Sequence, residues 1–223
     1  MDNQKEVKFY RVNDKFGCFS NFSNHSIFYK GTFWKTSEHA FQGQKFADFE
    51  NRYAVICAKT PMEAAQIGRE RNRPLRSDWE EVKDEIMKEI VWAKVMQHSE
   101  VREKLLSTGN AIIIEHTKND NYWADGGDGS GKNMLGKILM EIRVELNKNG
   151  SFDELRDMQL PPWEKHPELD RYSIGWRMGY GEEYMLIWYT WYRGLSTTGK
   201  EKYKKQYIET VEWIGFYKQT EEE

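Results

Sequence analysis

The chain is predicted to be α+β, mostly helical, with an aromatic-rich C-terminal extension containing short strands. Three observations predict this. Apolar residues recur at helical spacing behind cap signals through most of residues 37–146. Only a few short β-branched or alternating runs interrupt them. Of the 32 Phe, Trp and Tyr residues, 15 fall after Gly150, where a second composition begins. Residues 1–150 therefore read as the main domain and 151–223 as an extension or small domain. The boundary lies near Gly150, Pro161-Pro162-Trp163 and Pro167.

Taken in order, Lys8 to Val12 and Ser26 to Tyr29 read as strands. Ser37 caps a helix from Glu38 to about Ala47. Thr60-Pro61-Met62-Glu63 is a capping box with proline at the first helical position. Ser77-Asp78-Trp79-Glu80 is a second one, opening a long helix with Val82, Ile86, Ile90 and Ala93 on one face. Val101, Leu105 and Leu106 mark a short helix that Gly109 ends. Ala111 to Glu115 is a β-branched strand. Leu135, Ile138, Leu139, Ile142 and Leu146 stripe a further helix that Gly150 stops. In the extension, Tyr184 to Tyr192 is apolar on both alternating faces and reads as a strand, as does Val211 to Tyr217. Trp176, Trp188, Trp191 and Trp213 supply too much apolar surface for disorder. The extension is expected to be a small packed sheet; the sharper alternative is a platform for a partner or nucleic acid, with Lys200, Lys202, Lys204 and Lys205 nearby.

Bulk properties exclude several classes. A net charge of -3 and a pI near 6.0 show no basic face, which argues against nonspecific duplex binding but leaves a local phosphate pocket open. Cys18 and Cys57 make neither a disulfide framework nor a metal site of usual spacing, so a reducing cytoplasm is expected. Met1 to Lys8 lacks an apolar core, so no signal peptide is expected. Tyr184 to Tyr192 is the longest apolar run and is too short to span a bilayer. No membrane association, cofactor or metal is expected.

Residues Glu115 to Trp123 run into the glycine-rich loop Ala124–Lys132, and Asn133-Met134-Leu135-Gly136 opens a helix. Gly126 and Gly131-Lys132 nearly match a nucleotide-binding P-loop. The match fails at Asn133, where magnesium binding needs Ser or Thr. The loop amides and helix start still suit a phosphate; the plain alternative is a connecting loop. Asp120, Asp125 and Asp128 raise calcium, but the alternating ligand pattern is absent. Glu38, Gln42 and Lys45 lie one turn apart on one helix face. A carboxylate, an amide and an ammonium on one stripe point to a polar site, although Glu38 could simply complement the helix dipole. His39 reads as structural. Arg69, Arg71, Arg73 and Arg76 suit phosphate binding or a solvated helix end equally. Trp79, taken alone, reads as a packing residue.

In order, these pieces resemble one family. The ordered set comprises Ser20-Asn21-Phe22, Trp34 to Phe46, Met62 with Ala64-Ala65, Gly68-Arg69, Trp79, Met87, Lys94, Leu105-Leu106, Glu115-His116-Thr117 with Asp120, Trp123, Gly131-Lys132-Asn133, Leu135-Gly136, Leu139-Met140 and Arg143. It is similar to the NADAR family, which includes the YbiA-like N-glycosidases, over about Tyr10 to Leu146. Ala124 after Trp123, and Cys18-Phe19 before Ser20, depart from the family pattern without removing a charge. Residues 151–223 lie outside it.

The resemblance implies a compact, mostly helical α+β domain that hydrolyses an N-glycosidic bond between a ribose phosphate and a base or amine. Phosphoribosylamino-pyrimidine intermediates of riboflavin synthesis and ADP-ribosyl groups, including those on guanine, are the implied substrates, with ADP-ribosylated nucleic acid among them. It carries a catalytic Glu onto Glu38, a stacking Trp onto Trp79 and an Asp onto Asp120. The chemistry agrees. Such hydrolysis develops positive charge at C1′, which a carboxylate stabilises. An aromatic ring holds the base. Glu38 thus ranks first as the catalytic carboxylate, Asp120 second and Asp125 third. Trp79, Asn21, Lys45, Arg69, Trp123, Lys132 and Asn133 are the candidate substrate-binding residues. The rival reading is an ADP-ribose or nucleotide sensor that binds without turnover.

Overall fold

The computed structural model describes residues 5–147 and 158–222. The chain divides into two compact units, residues 1–95 with 100–151, and residues 96–99 with 152–223. The main unit is helical with two small sheets, α+β as expected. Its elements run β1 (Glu6–Phe9), β2 (Ile27–Tyr29), β3 (Thr32–Trp34), α1 (Ser37–Gly43), α2 (Phe49–Cys57), α3 (Pro61–Ile67), α4 (Trp79–Gln97), α5 (Ser99–Leu106), β4 (Ile112–Glu115) and α6 (Met134–Asn147).

β1 pairs in parallel with β4, aligning Phe9 with Glu115. β2 and β3 form a hairpin. Lys30 and Gly31, at φ 49° and 73°, supply the two left-handed positions that a two-residue turn of matching twist requires. The core collects Phe9, Trp34, Ile90, Val91, Leu105, Ile113 and Leu139. All five apolar residues of the predicted α6 stripe are buried. α6 packs on β4 at a separation only glycine permits, since a Cβ on Gly136 would sit 2.2 Å from the Ile113 carbonyl oxygen. Among the described residues no helix is long and apolar enough to cross a membrane.

Local signals placed most helices within a residue or two. Thr60 accepts a hydrogen bond from the Glu63 N–H, with Pro61 leading α3. The α1 cap is Thr36 rather than Ser37, because the Thr36 hydroxyl reaches the His39 N–H, and α1 ends at Gly43, short of Ala47. β1 begins before Lys8 and ends at Phe9. β3 and α2 carry no strong pattern: β3 has three residues, and α2 exposes Phe49 and Tyr53. The stop at Gly150 falls outside the described residues.

The second unit corrects the strand expectation. Its elements are α7 (Pro162–Lys165), α8 (Tyr180–Arg193), α9 (Thr197–Gln206) and α10 (Phe216–Glu222). Tyr184 to Tyr192 lies within α8. Tyr184, Trp188 and Tyr192 are buried four residues apart, one helical face. Aromatic and aliphatic residues at nearly every position hid that period. Val211 to Tyr217 is a 3-10 turn, then Gly215 at φ 85°, then the start of α10; the left-handed glycine breaks any continuous strand. The unit's core is Trp163, Tyr184, Trp188, Tyr192, Leu195, Tyr203, Trp213, Phe216 and Tyr217. Its polar tips are satisfied inside: Trp188 Nε1 donates to the Tyr203 hydroxyl at 2.9 Å, which donates to the Gln159 carbonyl at 2.8 Å.

Candidate active site

The main unit encloses a cavity of about 800 Å³. Its walls come from five places, one of them α4, which supplies Met87. The segment between β1 and β2 supplies Tyr10, Arg11, Asn21 and Phe22. α1 supplies Glu38, Phe41, Gln42 and Lys45 from just past its end. The end of α3 supplies Arg69. The end of β4 and the following turn supply Glu115, Thr117, Asn119, Asp120 and Trp123.

Glu38 is buried, 7% exposed, and its backbone N–H bonds the Asn21 carbonyl at 3.0 Å. Gln42 Nε2 donates to Glu38 Oε1 at 2.7 Å. Burial pushes the Glu38 carboxyl above its usual range; the Gln42 donor, Lys45 and Arg69 oppose that shift, and Asp120 adds to it. Lys45 donates to the Gly68 carbonyl at 3.1 Å, and burial holds its ammonium below the usual lysine range. Asp120 Oδ1 accepts from the Tyr122 and Trp123 N–H groups, both at 2.7 Å, which fixes the turn that carries Trp123.

Glu115 closes the cluster. It ends β4, and burial and the neighbouring Asp120 and Glu38 push its carboxyl up to about 7. Asn133, left-handed at φ 50°, aligns the strand end behind it. Its amide oxygen accepts from the Glu115 N–H at 3.0 Å, and its amide nitrogen donates to the Ile113 carbonyl at 2.8 Å. Lys94, fully buried in α4, donates to the carbonyls of Cys18, Phe19 and Ser20 at 3.0, 3.2 and 3.1 Å. It pins the chain leading into Asn21, and burial lowers its ammonium to about 8.

The cavity thus gathers Glu38, Asp120, Asn21, Lys45, Arg69 and Trp123 from the expected set. Trp79, Asp125, Lys132 and Asn133 are not in its lining. Trp79 is 6% exposed and packs on Phe41, centroids 5.0 Å apart. Phe41 in turn meets Trp123 edge-on at 5.3 Å. Asp125 accepts from His116 Nδ1 at 2.7 Å and from the Gly127 N–H at 2.8 Å. Burial pushes its carboxyl up, but those donors outweigh burial and hold it below the usual range. Lys132 lies over the Tyr122 ring. Arg73 and Arg76 are spent on Glu70 and Asp78.

The glycine-rich loop does not offer the expected amide cradle. The N–H groups of Gly126, Gly127 and residues 129–135 all donate within the chain, those of Met134 and Leu135 to the carbonyls of Tyr122 and Trp123. The start of α6 is therefore occupied by protein rather than open to an anion. His39 is structural, as expected: Nδ1 lies 2.8 Å from the Thr36 hydroxyl and Nε2 3.3 Å from the Ala58 carbonyl.

Glu115, Arg11 and Asn119 escaped the sequence reading as site residues. Two signals for Glu115 were available: a carboxylate at the C-terminal end of a strand, and its place in the Glu115-His116-Thr117 motif. Nothing local marks Arg11 or Asn119, because the β1–β4 pairing brings their segments together.

A family model described as the NADAR domain matches residues 8–147. The N-glycosidase YbiA of Escherichia coli strain K12 is 49% identical over 140 residues, covering 63% of this chain and 88% of that protein. A riboflavin biosynthesis protein of Vibrio vulnificus is 37% identical over 150 residues, covering 67% of this chain and 41% of its own length. The NMR structure of Escherichia coli YbiA matches with a TM-score of 0.62 at 45% identity, covering 67% of this chain and 89% of that one. Through residues 8–147, which build the whole cavity, the chain belongs to the NADAR-domain family.

Proposed function

We propose that this chain is an N-glycosidase that hydrolyses the bond between ribose C1′ and nitrogen in a ribose-phosphate or ADP-ribosyl conjugate. The observation that carries the proposal is the convergence of Glu38, Glu115 and Asp120 on one cavity that also presents Lys45 and Arg69. Its relatives named N-glycosidase and riboflavin biosynthesis protein support the same class.

The roles follow from charge. As the C1′–N bond lengthens, positive charge grows on the ribose ring, and Glu38, beside C1′, stabilises it and orients water. Asp120 supports that field and holds the Trp123 turn. Lys45 and Arg69 take the phosphate; among the described residues no carboxylate pairs with the Arg69 guanidinium. Asn21 meets the ribose hydroxyls, with its Oδ1 buried and unpartnered. Trp123 stacks on the base, and Trp79 buttresses it through Phe41. Asp125, Lys132 and Asn133 shape the loop and the end of β4. Phosphoribosylamino-pyrimidines, ADP-ribosylated guanine and ADP-ribosylated nucleic acid are the substrates proposed. Free Cys18 and Cys57 fit a reducing cytoplasm.

A sensor that binds the ligand without turnover uses a carboxylate for the ribose hydroxyls, whereas carboxylates grouped at C1′ do most when positive charge develops there. The test is incubation of the purified chain with the three substrate types, read by mass spectrometry. Release of free base or sugar is expected from at least one. Binding by calorimetry with no release from any would overturn the enzyme reading in favour of the sensor.

A further inference from the structure

Two carboxylates of the cavity sit in opposite electrostatic company. Burial raises both carboxyls, but at Glu38 the Gln42 donor on Oε1 and two cations, Lys45 and Arg69, oppose the rise, and one carboxylate, Asp120, adds to it. Glu115 faces Asp120, Glu38 and Asp125, and the cation that opposes them is Lys94. That ammonium is already committed to three backbone carbonyls. Among the described residues no side-chain donor engages the Glu115 carboxyl. Its backbone is fixed from behind by Asn133, so the side chain is presented from a rigid strand end rather than a loop. When the environments of two neighbouring acids pull their ionisation apart, the pair is sorted into an anion and an acid.

We propose that Glu115 is the general acid of the N-glycosidase reaction, donating its carboxyl proton to the departing nitrogen while ionised Glu38 faces C1′. This rests on the N-glycosidase reading. The C1′–N bond breaks with its electron pair moving to nitrogen, which takes the Glu115 proton. Water adds to C1′ and gives its proton to Glu38, so the products are the free sugar and the neutral base or amine carrying the new N–H. Both carboxyls return to their starting states by exchange with solvent.

The neutral form of Glu115 has a physical source on every side. Asp120 and Asp125 face it from the turn and loop after β4, and Glu38 faces it from α1; all disfavour its anion. Lys94 from α4 opposes them. Burial acts in the same direction as the carboxylates and brings the group to about 7, close to where an acid works best at neutral pH.

The experiment compares wild type with Glu115→Gln on two substrates. One is the phosphoribosylamino-pyrimidine or ADP-ribosyl conjugate that wild type turns over, whose nitrogen needs a proton to leave. The other is p-nitrophenyl riboside 5-phosphate, whose leaving group departs as a stable anion. Glu115→Gln is expected to lose ~10²–10⁴-fold in kcat on the first, to lose the alkaline fall of kcat/KM near pH 7, and to keep most of its rate on the second. Glu115→Asp keeps a proton donor at shorter reach and is expected to fall between the two, with the alkaline limb retained. A comparable loss on both substrates, or an unchanged alkaline limb in Glu115→Gln, would overturn the acid role while leaving the glycosidase intact. A wild type silent on every N-glycosidic substrate would overturn the glycosidase and the acid role together. Thermal melting of each variant separates a fold defect from a catalytic one.

Discussion

Gln42 donates to Glu38 across one turn of α1 at 2.7 Å, and both side chains line the cavity. The amide therefore aims the carboxylate. The Gln42 Oε1 faces Gly68 so closely that a Cβ there would come within 1.8 Å of it. Gly68 and Gln42 together fix the direction in which Glu38 points.

Glu38→Gln is expected to keep the fold and lose turnover. The substitution preserves shape and removes the charge that faces C1′. A fall of ~10²–10⁴-fold in kcat is expected, the usual range for such a group. Steady-state kinetics beside a melting curve checks it. Near wild-type turnover would return Glu38 to a mere helix-dipole partner.

Glu115 should make stability depend on pH with a definite sign. Its folded value is about 7 against an ordinary 4.5, so the folded chain holds the proton longer than the unfolded one. The contribution of the neutral acid is complete below about 4.5, declines as pH rises, and is gone above about 7. The difference between wild type and Glu115→Gln over that window should be on the order of 1–3 kcal/mol. Denaturant unfolding at pH 5 and pH 8 measures it. A wild type whose stability relative to Glu115→Gln does not change across the window refutes the burial argument.

The two tryptophans should separate. Trp79 is buried behind Phe41, so Trp79→Ala is expected to cost about 3–5 kcal/mol of stability. Trp123 faces the cavity, so Trp123→Ala should raise KM at least tenfold with a smaller loss of stability. Paired melts and kinetics decide. If Trp79→Ala keeps its melting temperature and loses binding, the stacking ring is Trp79 after all.

Lys94→Met should destabilise without touching the ligand. It removes the donor for three buried carbonyls, each costing on the order of 1–3 kcal/mol when unpaired, with partial relaxation. The Cys18–Ser20 segment then loosens, and Asn21 with it. Hydrogen exchange at residues 18–22 should rise relative to α6. Unchanged exchange there would show that the segment is held by other contacts.

Much of the fold was legible because it rests on local physics. Thr60-Pro61, the α6 stripe and the β-branched run before Glu115 each act within a few residues, and each formed as expected. The Glu38–Gln42–Lys45 stripe was legible for the same reason. In the second unit aromatic side chains fill both possible periods, so helix and strand could not be told apart until Tyr184, Trp188 and Tyr192 packed on one another.

Sequence alone determined the α+β class, the family and about a third of the cavity wall, six of its eighteen lining residues, because caps, periodicity and motif order are written in neighbouring residues. Tertiary structure decided which motif residues face the cavity. It turned the glycine-rich loop inward, since its amides found carbonyls of Asp120 to Asp125 before any ligand could. It moved Trp79 behind Phe41. It also brought Glu115 and Glu38, far apart in the chain, to one cavity, with Phe9 of β1 paired opposite Glu115. A carboxylate's proton affinity depends on such neighbours and on lost water, and neither is a property of the residues adjacent in the chain.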